Sequence, residues 1–434
     1  MPPNLARVNA AARKAAKTRF TALLHHVDEA ALLRAFRRQN RQASAGVDGM
    51  TVTLYERDLE ENLRNLCTRI HTGQYRPKPV RRVFIPKSDG GQRPLGVPTL
   101  EDKIVQGAVA EVLNAIYEVD FLGFSYGFRP GRNPQQALTS LHTAIMSQHV
   151  NWVLDADIRN FFGSVDHEWL LRMVAHRIAD PRILRLIRMW LEAGVLESDE
   201  WHKTEIGTPQ GAGISPILAN VFLHYVLDLW VHQWRRRHAR GRIAIVRYAD
   251  DFVMGFEREQ DAREMQAEIS KRLAVFGLAL HETKTRLIEF GRFPALARRK
   301  RKERRPETFA FLGFTHYCGW TRDGRFIVKH KTQRERMTRK LKTVRMEARK
   351  IMHATIAAQH RWFSSILRGY YAYYGRPHNY PALAAFLREI RLIWLNCLRR
   401  RSQKNRKMSW EAFATLLERF PLPTPHITHS WAAR

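Results

Sequence analysis

The stretch IAIVRYADDFVMGF, residues 243–256, places two adjacent aspartates between two apolar runs. The flanking runs predict a hairpin of two strands, with Asp250 and Asp251 close to its turn. Burying an unpaired carboxylate costs several kcal/mol, and two neighbouring carboxylates repel each other. A divalent cation between them would remove that repulsion, because hard cations such as Mg²⁺ take oxygen ligands. An exposed turn that happens to contain two aspartates is the competing interpretation.

A metal site for phosphoryl transfer needs a further carboxylate, and the stretch NWVLDADIRNFF, residues 151–162, offers two. Its alternation predicts a strand in which Val153, Asp155 and Asp157 share one face. Spacing alone does not choose between the two aspartates, and an exposed polar face remains the alternative for either one. Two Mg²⁺ ions about 4 Å apart can activate a 3′-hydroxyl and stabilise a leaving pyrophosphate.

The composition indicates a folded protein with a polyanionic partner. The chain has 434 residues, of which 44% are hydrophobic, and a formal net charge of +32. These values predict two or three domains, exclude general disorder, and favour nucleic acid over an anionic membrane as the partner. No apolar run is long enough to predict a transmembrane helix. Cys67, Cys318 and Cys397 lie far apart, which argues against disulfides and zinc and for a reducing compartment.

The order of predicted elements is helices, strand, helix, hairpin, helix and hairpin. This order predicts an α+β fold in which an antiparallel sheet carries helices on one face. A boundary is expected at about 325–335, because the sequence from there to about 420 is helical and strongly basic.

Two basic segments admit two interpretations each. Residues 1–20 contain five basic residues and no acid, and could form an organelle transit peptide or a nucleic-acid-binding arm. The near absence of Ser and Thr favours the arm. The run RRKRKERR, residues 298–305, is either a solvated loop or a direct contact with nucleic acid.

Eight motifs occur in a fixed order along the chain: GVDGMT, IPKSDGGQRPLGVPT, SYGFRPGRN, DADIRNFF, TPQGAGISP, YADDFVM, LALHETKT and FLGF. A ninth, ILRGYYAYYG, lies near the C-terminus. YADD alone would be a weak signature, but this ordered set resembles the reverse transcriptases encoded by bacterial group II introns, the intron maturases. The resemblance covers about residues 44–420.

The resemblance implies a right-hand polymerase followed by an α-helical domain. Residues 1–75 would be a basic N-terminal extension and the start of the fingers, and residues 76–328 the fingers and an antiparallel palm. Residues 329–434 would form the helical thumb, or maturase (X) domain, with a short basic C-terminal region. Many relatives carry a further HNH nuclease domain supported by zinc. We expect the form without that domain, because the sequence has no cysteine pair.

The family pattern Asp-Ile-Arg/Lys-x-x-Phe selects Asp157 over Asp155. The resemblance therefore implies a catalytic triad of Asp157, Asp250 and Asp251 that binds two Mg²⁺ ions. Asp157 and Asp250 would be the main ligands, the carbonyl of Ile158 a further one, and the role of Asp251 less direct.

The resemblance also implies a nucleotide-binding set. Lys87 and Arg93 would grip the triphosphate as a point charge and a bidentate fork. Gln210 and Gly211 would lie against the incoming nucleotide, and Lys284 would donate a proton to pyrophosphate. A solvated surface lysine is the alternative for Lys284.

Phe162 would place its ring against the nucleotide sugar and clash with a 2′-hydroxyl, the group that distinguishes RNA precursors. A core phenylalanine is the alternative. The next position, Gly163, departs from the family, which usually has Asp there. We expect that change to loosen the following turn without loss of activity.

Candidate RNA contacts follow from basic residues beside aromatics. They are Arg129, Arg368, Arg399, Arg400 and Arg401. A structural salt bridge is the alternative for Arg129. We expect residues 361–375 to form a helix that is capped by Gly375, with most of its aromatic side chains in the protein core.

The expected function is an RNA-directed DNA polymerase that uses dNTPs, an RNA template and a DNA primer. It would also bind its group II intron RNA and target DNA, assist splicing and retrotransposition, and lie in the bacterial cytoplasm at the nucleoid without a membrane partner. One alternative is a host-adopted relative in defence or repair. Another is a non-catalytic RNA-binding splicing factor, against which the three aspartates argue.

Overall fold

The computed structural model describes residues 2–86, 91–197, 200–202, 207, 213–403 and 405–430. The helices are α1 (Pro3–Lys14), α2 (Glu29–Arg37), α3 (Val52–Tyr55), α4 (Leu59–His71), α5 (Leu100–Tyr117), α6 (Pro134–Ser147), α7 (Phe161–Ser164), α8 (His167–Ala175), α9 (Pro181–Glu192), α10 (Ser215–Leu223), α11 (Leu229–Arg237), α12 (Glu259–Ala274), α13 (Arg292–Lys300), α14 (Arg334–Lys350), α15 (Ile356–Tyr374), α16 (Tyr380–Arg401) and α17 (Trp410–Arg419). Short 3₁₀ turns cover Leu24–His26 and Glu56–Asp58, and a π-helical turn over His224–Asp228 joins α10 to α11.

The strands are β1 (Val80–Pro86), β2 (Gln92–Val97), β3 (Trp152–Asp157), β4 (Val195–Glu197), β5 (Glu200–His202), β6 (Ile243–Tyr248), β7 (Asp251–Phe256), β8 (Arg286–Glu289), β9 (Phe309–Phe311), β10 (Phe314–Trp320) and β11 (Phe326–Thr332). Three sheets result, with strand orders β2-β1-β4-β5, β6-β7-β3-β8 and β11-β10-β9. The predicted α+β character is confirmed.

The sheet β6-β7-β3-β8 corresponds to the expected palm and is called the palm sheet below. It is antiparallel throughout, and both of its faces are buried. Leu154 and Phe252 face a core built from α5, α8, α10 and α12. Val153 and Val253 face a second core that contains α6 and the β9–β11 sheet. The expectation of helices on one face was wrong, because α6 also covers the second face, where Ala137 and Leu138 pack.

A second sheet, which corresponds to the expected fingers, begins with β1 and β2, an antiparallel pair in which Pro86 is opposite Gln92. Strand β4 then pairs in parallel with β1, so that residues more than a hundred positions apart in sequence share one sheet.

The C-terminal region is helical, as predicted, but it begins later than residue 329. Strand β11 runs to Thr332 and pairs along its length with β10, so a boundary at 328 would cut a strand. The helical bundle starts at Arg334 with α14 and has its own core, in which Tyr371 and Trp394 are completely buried. The described residues from 334 to 430 correspond to the expected thumb, and we use that name for them below.

The N-terminal residues are part of the main body. Helix α1 buries Leu5 and Ala12 against α5, and the Asn9 side chain donates a 2.8 Å hydrogen bond to the carbonyl of Ala115. The apolar side chains between Leu5 and Tyr75 thus share one core with α5, α8, α10 and α12. Among the described residues, no helix has the length and apolar character required to cross a membrane.

Candidate active site

The stretch 243–256 forms the predicted hairpin, and its turn presents the two aspartates. Tyr248 pairs with Asp251 across β6 and β7, which leaves Ala249 and Asp250 as a two-residue turn. Ala249 has a φ of +58°, in the left-handed region that two-residue hairpin turns require at a central position. Asp250 is therefore at the turn, and Asp251 is the first residue of β7.

The third aspartate comes from the neighbouring strand. Asp157, the last residue of β3, is the register partner of Asp251. Directly opposed residues in an antiparallel pair have Cβ atoms roughly 4.5–5.5 Å apart. The sheet therefore brings Asp157, Asp250 and Asp251 to one end of adjacent strands, although the three come from segments separated by about ninety residues in the sequence.

Electrostatics at this end of the sheet oppose three ionised carboxylates. Burial, followed by the charges of Asp155, Asp157 and Asp250, raises the pKa of Asp251 well above its ordinary value. The thumb residue Arg336 acts in the opposite direction and is the weakest of these influences. A buried carboxylate whose charge is destabilised by three neighbouring carboxylates is in the environment that a divalent cation would relieve.

Asp155 points to the same face but has other partners. Its carboxylate lies 3.7 Å from the Arg286 guanidinium and accepts a backbone hydrogen bond from Ala310. Burial nevertheless raises its pKa to about 6. Asp155 is thus buried two residues before the end of β3, whereas Asp157 ends the strand beside Asp251.

The residues fit a metal ion that is only partly coordinated by protein. Within the described part of the chain, no group of three His, Cys, Asp or Glu side chains forms a ready ion cage. Mg²⁺ commonly takes one or two carboxylates, with water and substrate phosphates completing its octahedron. An open carboxylate cluster at a strand end suits an ion of this kind. Ile158, the next residue, is buried and bridges to Leu280, so its backbone is fixed beside Asp157.

A buried arginine stabilises the turn by a hydrogen bond to its backbone. Arg247, in β6, is completely buried and donates to both carboxylate oxygens of Asp228, at 2.7 and 2.5 Å. It also donates to Asn220 at 3.2 Å and to the Ser125 hydroxyl at 2.7 Å. Its fifth bond, at 2.9 Å, goes to the carbonyl of Ala249 in the aspartate turn itself. The residue was not predicted from sequence, although a single arginine inside an apolar strand is a signal that could have found it.

The segment 124–127 packs beneath the same turn. It hydrogen-bonds along β6, from Arg247 N to Phe124 O and from Tyr126 N to Arg247 O, both at 2.9 Å. A Cβ added to Gly127 would lie 2.2 Å from the backbone nitrogen of Ala249, so only glycine permits this approach. The motif SYGFRPGRN therefore acts in part as a support for YADD.

Lys284 lies beside the candidate metal site. The loop before it is fixed to the end of β3, because His281 N donates to the carbonyl of Asp157 at 2.8 Å. The Lys284 ammonium then reaches the Oδ2 atom of Asp157 at 2.9 Å, while most of its side chain remains exposed. The position of Lys284 beside Asp157 agrees with the predicted role, and its exposure agrees with the alternative of a solvated surface lysine.

Phe162 is half-buried and packs edge-on against Phe161, with ring centroids 5.3 Å apart. It follows a left-handed residue, Asn160, at φ +45°, and belongs to the short helix α7. A Cβ at Gly163 would meet the Asn160 side chain at 2.5 Å. Gly163 thus leaves room for the Asn160 side chain, and it lies within the helical turn α7, after which Val165 is extended.

Other predicted residues are partly outside the described structure. Lys87, Gln210 and Gly211 lie outside the described residues, and only the backbone of Arg93, paired with Ile85 in the fingers hairpin, is described.

The candidate RNA contacts divide into buried and exposed residues. Arg129 is buried, and its guanidinium donates to Glu118 and to two backbone carbonyls. Its assignment to RNA binding was wrong, since those donors are already used within the fold. Arg368 and Arg400 are exposed, while Arg401 is half-buried and Arg399 donates to the carbonyl of Met408.

Comparison with known proteins assigns the class. Residues 85–316 match the family described as reverse transcriptase (RNA-dependent DNA polymerase). This match covers more than half of the chain and contains the whole palm sheet with its three aspartates. The chain belongs to the reverse transcriptase family.

Its relatives include intron-encoded proteins. Group II intron-encoded protein LtrA of Lactococcus lactis subsp. cremoris is 39% identical over 182 residues, which are 42% of this chain and 30% of that protein. Protein YkfC of Escherichia coli (strain K12) is 34% identical over 238 residues, which are 48% of this chain and 62% of that protein. Nuclear intron maturase 1, mitochondrial, of Arabidopsis thaliana is 25% identical over 95 residues, which are 22% of this chain and 13% of that protein.

The matched region thus spans less than two thirds of each of these relatives. The predicted resemblance to group II intron-encoded reverse transcriptases and maturases is confirmed by these similarities.

Proposed function

We propose that this protein is an RNA-directed DNA polymerase of group II intron type. The observation that carries the proposal is the pairing of Asp157 with Asp251 beside the Asp250 turn, inside a palm that matches the reverse transcriptase family. Asp157 and Asp250 would hold two Mg²⁺ ions, with Asp251 and the carbonyl of Ile158 completing the protein ligands.

When bound, Mg²⁺ supplies the Lewis acidity that activates a primer 3′-hydroxyl and neutralises charge on the leaving pyrophosphate. The chain's own contribution is to hold the ligands rigidly. The Arg247 guanidinium donates a hydrogen bond to the Ala249 carbonyl, and Gly127 allows its own segment to pack directly against the turn. Rigid placement matters, because misplacing reacting groups by about 1 Å can lower the rate roughly a hundredfold.

Nucleotide selection and proton transfer are assigned to neighbouring side chains. Lys284 is 2.9 Å from Asp157, and in this proposal its ammonium turns to the pyrophosphate and donates a proton to it. Phe162 would lie under the deoxyribose ring and exclude a 2′-hydroxyl. Lys87 and Arg93 would bind the triphosphate, with Gln210 and Gly211 against the nucleotide.

The partners of this activity would be an RNA template, a DNA primer, dNTPs and target DNA, together with the parent intron RNA. The net charge of +32 supports a polyanionic partner. The similarity to an intron-encoded protein and an intron maturase supports a role in splicing and retrotransposition. A cytoplasmic position at the nucleoid belongs to the same proposal.

The decisive experiment is primer extension on poly(rA)/oligo(dT) with the wild type and Asp250→Asn. We expect the substitution to abolish extension, because one lost carboxylate cripples the metal site, while RNA affinity stays within about threefold. Asp323→Asn is the matched control, since Asp323 occupies the turn of another hairpin and is exposed. Extension by Asp250→Asn at the wild-type rate would overturn the proposal.

The alternatives separate in further measurements. A splicing factor without polymerase activity would show no extension even in the wild type while still promoting intron splicing. A host-adopted relative in defence or repair would extend primers, and no intron RNA domains would flank its gene.

A further inference from the structure

Helix α13 and the chain after it lie at the opposite end of the palm sheet from the aspartates. Strand β8 pairs with β3 so that Glu289 is opposite Trp152, the first residue of β3, whereas Asp157 is the last. Six residues at about 3.3 Å per residue separate the two ends by roughly 17 Å. Gly291 then turns the chain into α13, packed so closely on Val150 that a Cβ would lie 1.9 Å from its carbonyl oxygen.

This end of the molecule carries the charge run that the proposed active site does not use. Residues 292–305 contain eight basic side chains and one acid, Glu303. Most of the basic side chains are exposed. Arg298 is fixed in place, because its guanidinium lies 2.6 Å from the Glu289 carboxylate. We call residues 298–305 together with Trp320 the α13 surface.

A concave site opens within the α13 surface. A cavity of about 360 Å³ lies between the basic run and strand β10. The Arg299 guanidinium stacks over the half-exposed Trp320 ring, with 4.7 Å to the centroid. Behind the ring, Cys318 is buried, and burial raises the pKa of its thiol to about 12, so the floor is uncharged. The cavity therefore combines an aromatic wall, an apolar floor and a rim of positive charge.

We infer that the α13 surface binds an unpaired segment of RNA, with a base in the cavity against Trp320 and the adjoining phosphates on the arginines. Every base has a π face that can stack on an aromatic ring or a guanidinium, and arginine binds phosphate in a bidentate fork. A base pair within a duplex cannot turn its face to the ring. This inference deepens the proposed function, since it places an RNA contact outside the polymerase cleft.

The test uses the full-length protein with its cleft filled by an RNA template and a dideoxy-terminated DNA primer, with dNTP and Mg²⁺. The probe is a fluorescein-labelled, U-rich single-stranded RNA of roughly 20 nucleotides, compared with the same RNA as a duplex. Wild type should bind the single strand. Trp320→Ala and Trp320→Leu should each weaken that binding about tenfold, a loss within the range of one stacked base, and change duplex binding less than twofold.

The contribution of the basic side chains to RNA binding is tested by a triple variant that combines Arg299→Gln, Arg304→Gln and Arg305→Gln. These changes should weaken binding of both RNA forms and reduce the slope of log K against log[salt] by about 2 for the single strand. The matched control removes three exposed arginines at the opposite edge of the palm, Arg236→Gln, Arg237→Gln and Arg258→Gln, and should change affinity less than twofold.

Equal affinity for single-stranded RNA in the wild type and both Trp320 variants would overturn the inference. So would an equal loss of duplex binding in those variants, which would indicate a general electrostatic surface or a misfolded protein. Crosslinking of 5-bromouridine RNA to the peptide that contains Trp320 would identify the bound site directly. Because crosslinking needs no primer extension, it succeeds or fails independently of the polymerase proposal.

Discussion

At the scale of single residues, the catalytic turn depends on an arginine that contacts no substrate in the proposed mechanism. Arg247 and Asp228 form a completely buried ion pair, and the same guanidinium donates to Ala249. Removing one partner from such a pair commonly costs about 3–5 kcal/mol, because the other charge is left buried and unpaired. Arg247 is thus a positioning residue whose effect on rate should be separable from its effect on stability.

We predict that Arg247→Met lowers both the melting temperature and kcat, with a smaller change in KM. The double variant Arg247→Met/Asp228→Leu should recover much of the stability, since no unpaired charge remains. Its kcat should stay low, because the Ala249 carbonyl still lacks its donor. Melting curves and steady-state primer extension provide the measurements. Recovery of kcat together with stability in the double variant would show that Arg247 has only a structural role.

Phe162 provides a second test at this scale, because its neighbour serves as a control. Phe162→Ala should raise ribonucleotide relative to deoxynucleotide incorporation by about tenfold, which corresponds to roughly 1.4 kcal/mol. Phe161 is buried, so Phe161→Ala should instead cost about 3–5 kcal/mol of stability and lower both activities together. The measurement is kcat/KM for GTP and dGTP in the three proteins. An unchanged ratio in Phe162→Ala would remove the sugar-selecting role.

At the scale of elements, the thumb is fastened to the palm by buried polar groups. Arg376 donates to the backbone and side-chain oxygens of Gln135 in α6, at 3.1 and 2.8 Å. Asn379 is buried and accepts from the backbone of Thr332 at 2.8 Å. These bonds connect the segment between α15 and α16 to α6 and β11, which places the thumb against the second face of the palm sheet.

Histidines beside this junction predict a dependence of stability on pH. Burial lowers the pKa of His142 to about 4 and that of His316 to about 3, and the Arg376 charge adds to both effects. Burial also lowers the pKa of His330 well below its ordinary value. Since these pKa values are lower in the folded than in the unfolded chain, the unfolded state binds more protons below about pH 6.5.

We therefore predict that the free energy of unfolding decreases as pH falls from about 6.5 toward 4. Each of these histidines contributes up to about 1.4 kcal/mol per pH unit. His316→Phe keeps an aromatic ring against Phe309, with which His316 stacks at 4.6 Å, and should reduce the slope by about one proton. Urea unfolding at a series of pH values measures the slope. The same slope in wild type and His316→Phe would exclude His316 as a source.

The elements that could be predicted from sequence are those with local signals. Alternating apolar residues predicted β3 and the YADD hairpin. The dipeptide Asp323-Gly324, which is typical of hairpin turns, lies at the β10–β11 turn, where Gly324 has a φ of +75°. Gly375 does cap α15, but at a negative φ, and it is required because a Cβ would lie 2.4 Å from the carbonyl oxygen of Tyr371. The parallel pairing of β4 with β1 had no local signal, because it joins distant segments.

The candidate site shows the same division. Asp157, Asp250 and Asp251 could be proposed from motifs, because each lies in a short, distinctive stretch, and the register of β3, β6 and β7 brings them together. The pairing of Asp228 with Arg247, which stabilises the turn, was not predicted. A π-helical turn sets the position of Asp228, and the sequence of that turn, HYVLD, is indistinguishable from ordinary helix. Arg129 was misassigned, because exposure cannot be read from a basic residue in a motif.

At the scale of the whole molecule, the net charge of +32 should dominate binding to RNA. If about six phosphates are neutralised, log K should fall with a slope near −5 against log[salt]. Fluorescence anisotropy of a labelled intron RNA across a salt series measures this slope. The Asp250→Asn variant should give the same slope, since it leaves the basic surfaces intact. A slope near zero would contradict the electrostatic origin of binding.

The docking of α1 has a consequence for the order of events during synthesis. Arg177 donates to the carbonyl of Ala12, a residue 165 positions earlier, and Asn9 bonds to Ala115. At about 5–20 residues per second, a ribosome takes roughly 8–33 s to extend the chain from the first of these partners to the last. Until α5 has been synthesised the apolar side of α1 has no binding site, so α1 must wait for about a hundred later residues before it can dock, and for Arg177 before its C-terminal carbonyls are bonded.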